Sequence, residues 1–152
     1  MKIMFVCHGN ICRSPMAEMV LKKILRENGL EGEVEVVSRA TSDEEIGNPI
    51  YPPARAVLES HGIPYERREA AKIKSSDYFE YDMIIGMDSA NIRNMKRIFD
   101  GDPEGKIVRL METLGKDADV SDPWYTGRFE DTYRDVTAGC TSLFEIIKKK
   151  IK

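Results

Sequence analysis

The apolar run Ile3-Met4-Phe5-Val6 stops at Cys7-His8-Gly9-Asn10-Ile11-Cys12-Arg13-Ser14-Pro15 and gives way to the helical stretch Met16-Ala17-Glu18-Met19-Val20-Leu21. A strand that runs through a tight loop into a helix aims several backbone N–H groups at one point, and the helix dipole favours negative charge there. The arrangement predicts a phosphate cradle formed by residues 7–13 at the carboxyl end of a first strand. No Gly-Lys-Ser/Thr follows to carry a nucleotide and magnesium. The first loop residue is instead a thiol, which points to phosphate chemistry through sulfur.

The rest of the chain alternates strand and helix signals. Ser14 to about Asn28 reads as a helix, with Ser14 as N-cap, Pro15 at the first position, Gly29 past the end and an apolar face of Met16, Met19, Val20, Ile24 and Leu25. Glu33 to Val37 reads as a strand, Ser38 to Pro49 as a loop, and Tyr51-Pro52-Pro53 as the start of a helix through Ala54, Val57 and Leu58 to Gly62, with His61 in its last turn. Asp82 to Met87 reads as a short buried strand, Ser89 to Phe99 as a helix and Ile107 to Leu110 as the last strand, with a final helix inside Gly127 to Lys150. Such βαβ units are right-handed and build a parallel sheet covered on both faces, with ligands at the carboxyl ends of the strands. The Cys7 loop lies at such an end, so the fold and the motif converge.

At 152 residues with 41% apolar content, the chain can bury one substantial core, and a single domain over residues 1–152 is expected. Its 23 basic and 26 acidic residues are mixed along the sequence, which gives no domain-wide attraction to nucleic acid. The lysines 148, 149, 150 and 152 read as a solvated helix end. No apolar run approaches the ~20 residues of a membrane span, and the N-terminus enters a strand directly. The expectation is a soluble, cytoplasmic, monomeric protein that meets neither membrane nor nucleic acid. Three cysteines without framework spacing fit a reducing compartment, and Cys140 reads as helix packing. His8 and His61 lack metal-ligand spacing, so no metal and no cofactor are expected.

Backbone N–H groups, a helix N-terminus and a nearby guanidinium all favour a thiolate, and Cys7 is placed to receive all three. Arg13 brings a planar fork of donors able to hold two phosphoryl oxygens, a geometry lysine cannot reproduce. In-line attack on a phosphomonoester yields a phosphocysteine if an acid protonates the leaving oxygen. The best candidate is Asp122 in Val120-Ser121-Asp122-Pro123-Trp124-Tyr125, where two aromatics can wall a pocket. Asp-Pro is also a common turn pair, so taken alone Asp122 reads as a turn residue. Ser14 can donate to the Cys7 sulfur while capping the helix. Cys12 either faces the core or resolves an oxidised Cys7 as a disulfide.

With these residues in hand, the chain resembles the low-molecular-weight protein tyrosine phosphatases over nearly its whole length. The match includes the loop from Cys7 to Glu18, Ser38-Arg39-Ala40-Thr41-Ser42, Ile46-Gly47-Asn48-Pro49, His61-Gly62-Ile63-Pro64, Met87-Asp88 with Asn91, Asp122-Pro123-Trp124-Tyr125, and Phe129 with Tyr133. The resemblance implies an α/β, three-layer flavodoxin-like fold with a four-stranded parallel sheet flanked by helices, and neither cofactor nor metal. It implies Cys7 as nucleophile, Arg13 as transition-state clamp, Asp122 as acid and then base, and Cys12 as the partner that protects Cys7 during reversible oxidation. Asn10 would hold the loop in a left-handed conformation fixed by the hydroxyls of Ser14 and Ser38. The implied substrate is a phosphotyrosine protein or an aryl phosphate, with inorganic phosphate as product.

The sequence departs from the family pattern at the pocket. Glu44 stands where many relatives place an aromatic and His8 where leucine is frequent, leaving Ile11, Trp124 and Tyr125 as the surfaces for a phenyl ring beside an acidic rim that disfavours strongly acidic peptides. Arg67 stands where relatives often carry a loop-supporting histidine, and a pair with Glu45 is expected. Protein arginine phosphatases resemble the chain too but carry threonine where it has Ile11, an apolar surface better suited to an aromatic ring. Thioredoxin-coupled arsenate reductases share the loop but need further cysteines, and Tyr81 to Phe99 has none. A phosphoryl carrier holding phosphocysteine would need neither Arg13 nor Asp122.

Overall fold

The computed structural model describes all residues, Met1–Lys152. Strand β1 (Lys2–Cys7) lies inside a four-stranded parallel sheet between β2 (Glu35–Ala40) and β3 (Met83–Gly86), with β4 (Ile107–Arg109) beyond β3. β1 is apolar without alternation because both its faces are covered. Ile3, Phe5 and Cys7 point into the larger core, with helices α1 (Arg13–Glu27), α2 (Pro52–Ser60) and α6 (Phe129–Lys150). Met4 and Val6 point into the smaller one, with α3 (Asp77–Glu80) and α4 (Ser89–Ile98). This is the three-layer, flavodoxin-like α/β arrangement expected. No helix is long and apolar enough to cross a membrane.

Three local differences from the sequence reading bear on the site. Helix α1 starts two residues earlier than expected, at Arg13, with Cys12 rather than Ser14 as its N-cap and no side chain capping it. Ser14 therefore does not cap the helix; its hydroxyl is used elsewhere, and the first-turn N–H groups stay free to meet an anion. Strand β2 continues past Val37 to Ala40 because its partner is the buried end of β1, with Phe5 opposite Ser38 and Cys7 opposite Ala40. Ser38 thus belongs to the sheet rather than to a loop. Asp122, finally, is the N-cap of a short helix, α5 (Pro123–Thr126), its Oδ1 accepting the Trp124 N–H at 3.0 Å. A single helical turn is too short for periodicity to reveal, as are α3 and the 3-10 turn Leu110–Leu114.

The remaining placements follow the pattern. Met16, Met19, Val20 and Leu25 of α1 are buried, with Ile24 packed at the edge. Cys140 is fully buried in α6, its Sγ 3.6 Å from the Ala17 carbonyl, and burial pushes its thiol up. His61 ends α2, stacks on Tyr133 at 4.0 Å and meets Glu130 at 2.8 Å. These contacts hold the start of α6, whose Phe129 stacks on Tyr51, and Tyr51 in turn packs on Trp124 at 5.1 Å.

Candidate active site

The loop after β1 is shaped by Asn10, fully buried and at φ +60°. A side chain in the left-handed region costs on the order of 1–2 kcal/mol, and this one is held there by every polar atom it has. Its Nδ2 donates to Ser14 Oγ (2.8 Å) and Ser38 Oγ (2.9 Å). Its Oδ1 accepts from the Ala71 N–H (3.1 Å) and from Arg68 Nη2, while Arg68 Nη1 donates to the Asn10 carbonyl at 2.8 Å. The hydroxyls pass the polarity on in both directions. Ser38 Oγ, accepting from Asn10, donates to the buried Glu18 at 2.5 Å, and Glu18 is paired with Lys22 at 2.6 Å. Ser14 Oγ also accepts from Asn10, so its proton is directed to Cys7 Sγ, 3.0 Å away, and the Asn10 N–H donates to the same sulfur at 3.2 Å.

Arg13 closes the loop from the helix side. Its guanidinium is almost wholly buried, Nη1 donating to Asp88 Oδ2 (2.7 Å) and the Val120 carbonyl (2.9 Å), and Nη2 to Asp122 Oδ2 (3.4 Å). Burial works against its charge, but the Cys7 sulfur and the Asp88 and Asp122 carboxylates outweigh it and hold the group above its ordinary range. Asp88 is itself fixed as the N-cap of α4, in a reciprocal box with Asn91. The Cys12 thiol is pushed up to about 12, first by burial and then by the neighbouring Cys7, so at neutral pH it is protonated and a poor nucleophile. All three cysteines are free.

Cys7, Cys12, Arg13 and Asp122 share one cleft of about 120 Å³, walled by His8, Gly9, Ile11, Glu44, Glu45, Trp124 and Tyr125. Every expected pocket residue is present, and Glu45 is added to them. Asn10, Ser14 and Ser38 stand behind the loop, where they shape it. His8 Nε2 lies 2.9 Å from Glu44 Oε2 across the mouth.

The expected Arg67–Glu45 pair does not form. Along residues 67–70 exposure alternates, with Arg67 and Glu69 outward and Arg68 and Ala70 inward, so the neighbouring arginine supports the loop and Glu45 bonds Asn48 Nδ2 at 2.6 Å. Asp88, Arg68 and Glu18 are site-building residues to which the sequence reading gave no role. A signal existed for Asp88, since Asp88-x-x-Asn91 is a capping pattern at the end of a strand. None existed for the burial of Glu18.

A thiol at the carboxyl end of the first strand of a parallel sheet, in a backbone cradle closed by a buried arginine beside a carboxylate, is the arrangement that phosphoryl chemistry through cysteine requires. A family model described as low molecular weight phosphotyrosine protein phosphatase matches residues 2–152. The chain is 35% identical over 150 residues to the low molecular weight protein-tyrosine-phosphatase YfkJ of Bacillus subtilis, covering 97% of this chain and 96% of that one. It is 37% identical over 148 residues to PtpA of Staphylococcus haemolyticus, covering 97% and 94%. Its fold superposes on the crystal structure of Bacillus subtilis YfkJ with a TM-score of 0.96 at 34% identity (100% and 97% covered), and on a Drosophila arginine phosphatase with 0.86 at 28% identity (97% and 98% covered). The chain belongs to the low molecular weight phosphotyrosine protein phosphatase family and is an enzyme of that family.

Proposed function

We propose that the protein hydrolyses phosphotyrosine, in proteins or as simple aryl phosphates, through a phosphocysteine on Cys7. The Cys7 sulfur attacks phosphorus in line, the S–P bond forming as the bond from phosphorus to the phenolic oxygen breaks. The loop N–H groups and the Arg13 fork hold the non-bridging oxygens, and protonated Asp122 gives its proton to the phenolic oxygen. In the second half-reaction Asp122 takes a proton from water, the water oxygen bonds phosphorus, and the S–P bond breaks to release inorganic phosphate. Ser14, donating to the sulfur, stabilises it as leaving group. The observation that carries the reading is the sharing of one 120 Å³ cleft by thiol, guanidinium and carboxylate, with Arg13 Nη2 3.4 Å from Asp122 Oδ2.

Ile11 supports tyrosine over arginine, because it presents carbon to the ring, and the exposed faces of Trp124 and Tyr125 stand beside the cleft. The enzyme is taken to act as a monomer and one domain, residues 1–152, in the cytoplasm, where its three free cysteines stay reduced. Reversible oxidation would pair Cys7 with Cys12. The test is hydrolysis of a phosphotyrosine peptide beside a phosphoarginine peptide, with Cys7→Ser as control. Phosphotyrosine is expected to be preferred and the activity lost in the variant, and Asp122→Ala should slow poor leaving groups most. Preference for phosphoarginine would keep the mechanism and overturn the substrate.

A further inference from the structure

We propose that the mouth of the cleft selects phosphotyrosine flanked by a basic side chain, which Glu45 reads. The inference rests on the phosphatase reading above and adds a substrate class to it. Asp43, Glu44 and Glu45 are consecutive carboxylates on the loop after β2, and the last two line the cleft.

Among the arginine, histidine and carboxylate side chains that line the cleft, Glu45 alone has no partner of opposite type. Arg13 is paired with Asp88 and Asp122, and His8 Nε2 shares a hydrogen bond with Glu44. Glu45 has no cationic partner; its side chain accepts only from the neutral amide of Asn48, at 2.6 Å. A carboxylate has about four acceptor positions, so this one keeps capacity for an incoming ammonium or guanidinium.

Its place is also fixed. The Glu45 stem packs over the phosphate loop, its Cγ 3.3 Å from where a Cβ on Gly9 would stand. The segment is tied down by the Asn48 N–H to the Glu45 carbonyl (2.9 Å), the Gly47 N–H to Ala70 (2.9 Å) and the Ala70 N–H to Asn48 (2.7 Å). A preplaced carboxylate, half-buried beside the phosphate cradle, gains more from a cation than a freely moving one, because less side-chain entropy is lost. Trp124 and Tyr125, which line the same cleft, are 55% and 84% exposed. A phosphotyrosyl segment that enters the cleft therefore meets both carboxylate and aromatic faces. Apart from His8 and Arg13, no basic side chain lines the cleft to receive an acidic flank.

The experiment measures kcat/KM for three phosphotyrosine peptides that differ only in having lysine, glutamine or glutamate beside the phosphotyrosine, with p-nitrophenyl phosphate run alongside. The expected order is lysine, glutamine, glutamate, with roughly a fivefold span at low salt that narrows at high salt. Glu45→Gln should compress the span and Glu45→Lys reverse the order. Equal rates across the series, with p-nitrophenyl phosphate turned over, would overturn this inference and leave the phosphatase reading standing. A lysine preference that survives both substitutions would remove Glu45 from the role. No turnover of any of the four substrates would overturn the phosphatase reading, and this inference with it.

Discussion

Ser14 and Ser38 owe their roles to a single neighbour. Each hydroxyl oxygen accepts a hydrogen bond from Asn10 Nδ2, which directs its own O–H onward, Ser14 to the Cys7 sulfur and Ser38 to Glu18. Ser14→Ala removes the only side-chain hydroxyl on the sulfur, and the loss should fall on the step in which sulfur leaves phosphorus. We expect kcat to drop by roughly ten- to a hundredfold, with phosphocysteine accumulating as a burst of phenol in stopped-flow traces; a uniform slowing without a burst would place the hydroxyl's role elsewhere. Cys7, Arg13 and Asp122 were legible in the sequence because the first two share one loop and the third sits in a conspicuous Asp-Pro-Trp-Tyr segment. Asp88 and Arg68 gained no role from sequence because their site contacts, to Arg13 and Asn10, span 75 and 58 residues. No local pattern distinguishes Arg68 from Arg67; only the direction each faces does.

The elements deliver these side chains by where they end. β1 ends at Cys7, β2 carries Ser38 near its end, β3 leads to Asp88, and α5 starts from Asp122. Strands and long helices were readable from apolar runs and periodicity, whereas the reach of β2 to Ala40 depends on pairing with β1 rather than on its own polar residues Ser38 and Arg39. Packing between elements is close enough to test. A Cβ on Gly139 of α6 would come within 2.5 Å of Leu110 Cγ, so Gly139→Ala should cost about 1–3 kcal/mol by overpacking; an unchanged urea midpoint would contradict this contact. The entry to β4 depends on pH. Burial pulls the Asp102 carboxyl up, but hydrogen bonds from Tyr78 and from the Lys106 and Ile107 N–H groups outweigh it and hold it below the usual range. A carboxyl lowered in the folded state stabilises above its unfolded pKa of about 3.9 and loses that contribution as pH falls through the folded value. Asp102→Asn should therefore flatten the acid limb of stability against pH, below about pH 4, and an unaltered limb would deny Asp102 that role.

For the molecule as a whole, the parallel sheet gathers at the carboxyl ends of its strands what the sequence scatters: a thiol from residue 7, a guanidinium from 13, the carboxylate of 88 and that of 122. The wide, continuous core behind β1 holds that end of the sheet in place, so the left-handed Asn10 and the buried Arg13 are kept in arrangements neither would hold in a free chain. Fold class and the location of the site were legible because both follow from strand–helix alternation. The charge pattern of the mouth was only half legible, since the acidic rim is visible in sequence but the pairing of His8 with Glu44, which leaves Glu45 alone, is not. The central claim is that phosphorus passes through Cys7, and the most direct measurement is mass analysis of peptides from Asp122→Ala enzyme acid-quenched during turnover of an aryl phosphate with a good leaving group. A phosphoryl adduct on the peptide containing Cys7, absent when Cys7 is serine, is the expected result; steady turnover with no adduct on that peptide would contradict the mechanism.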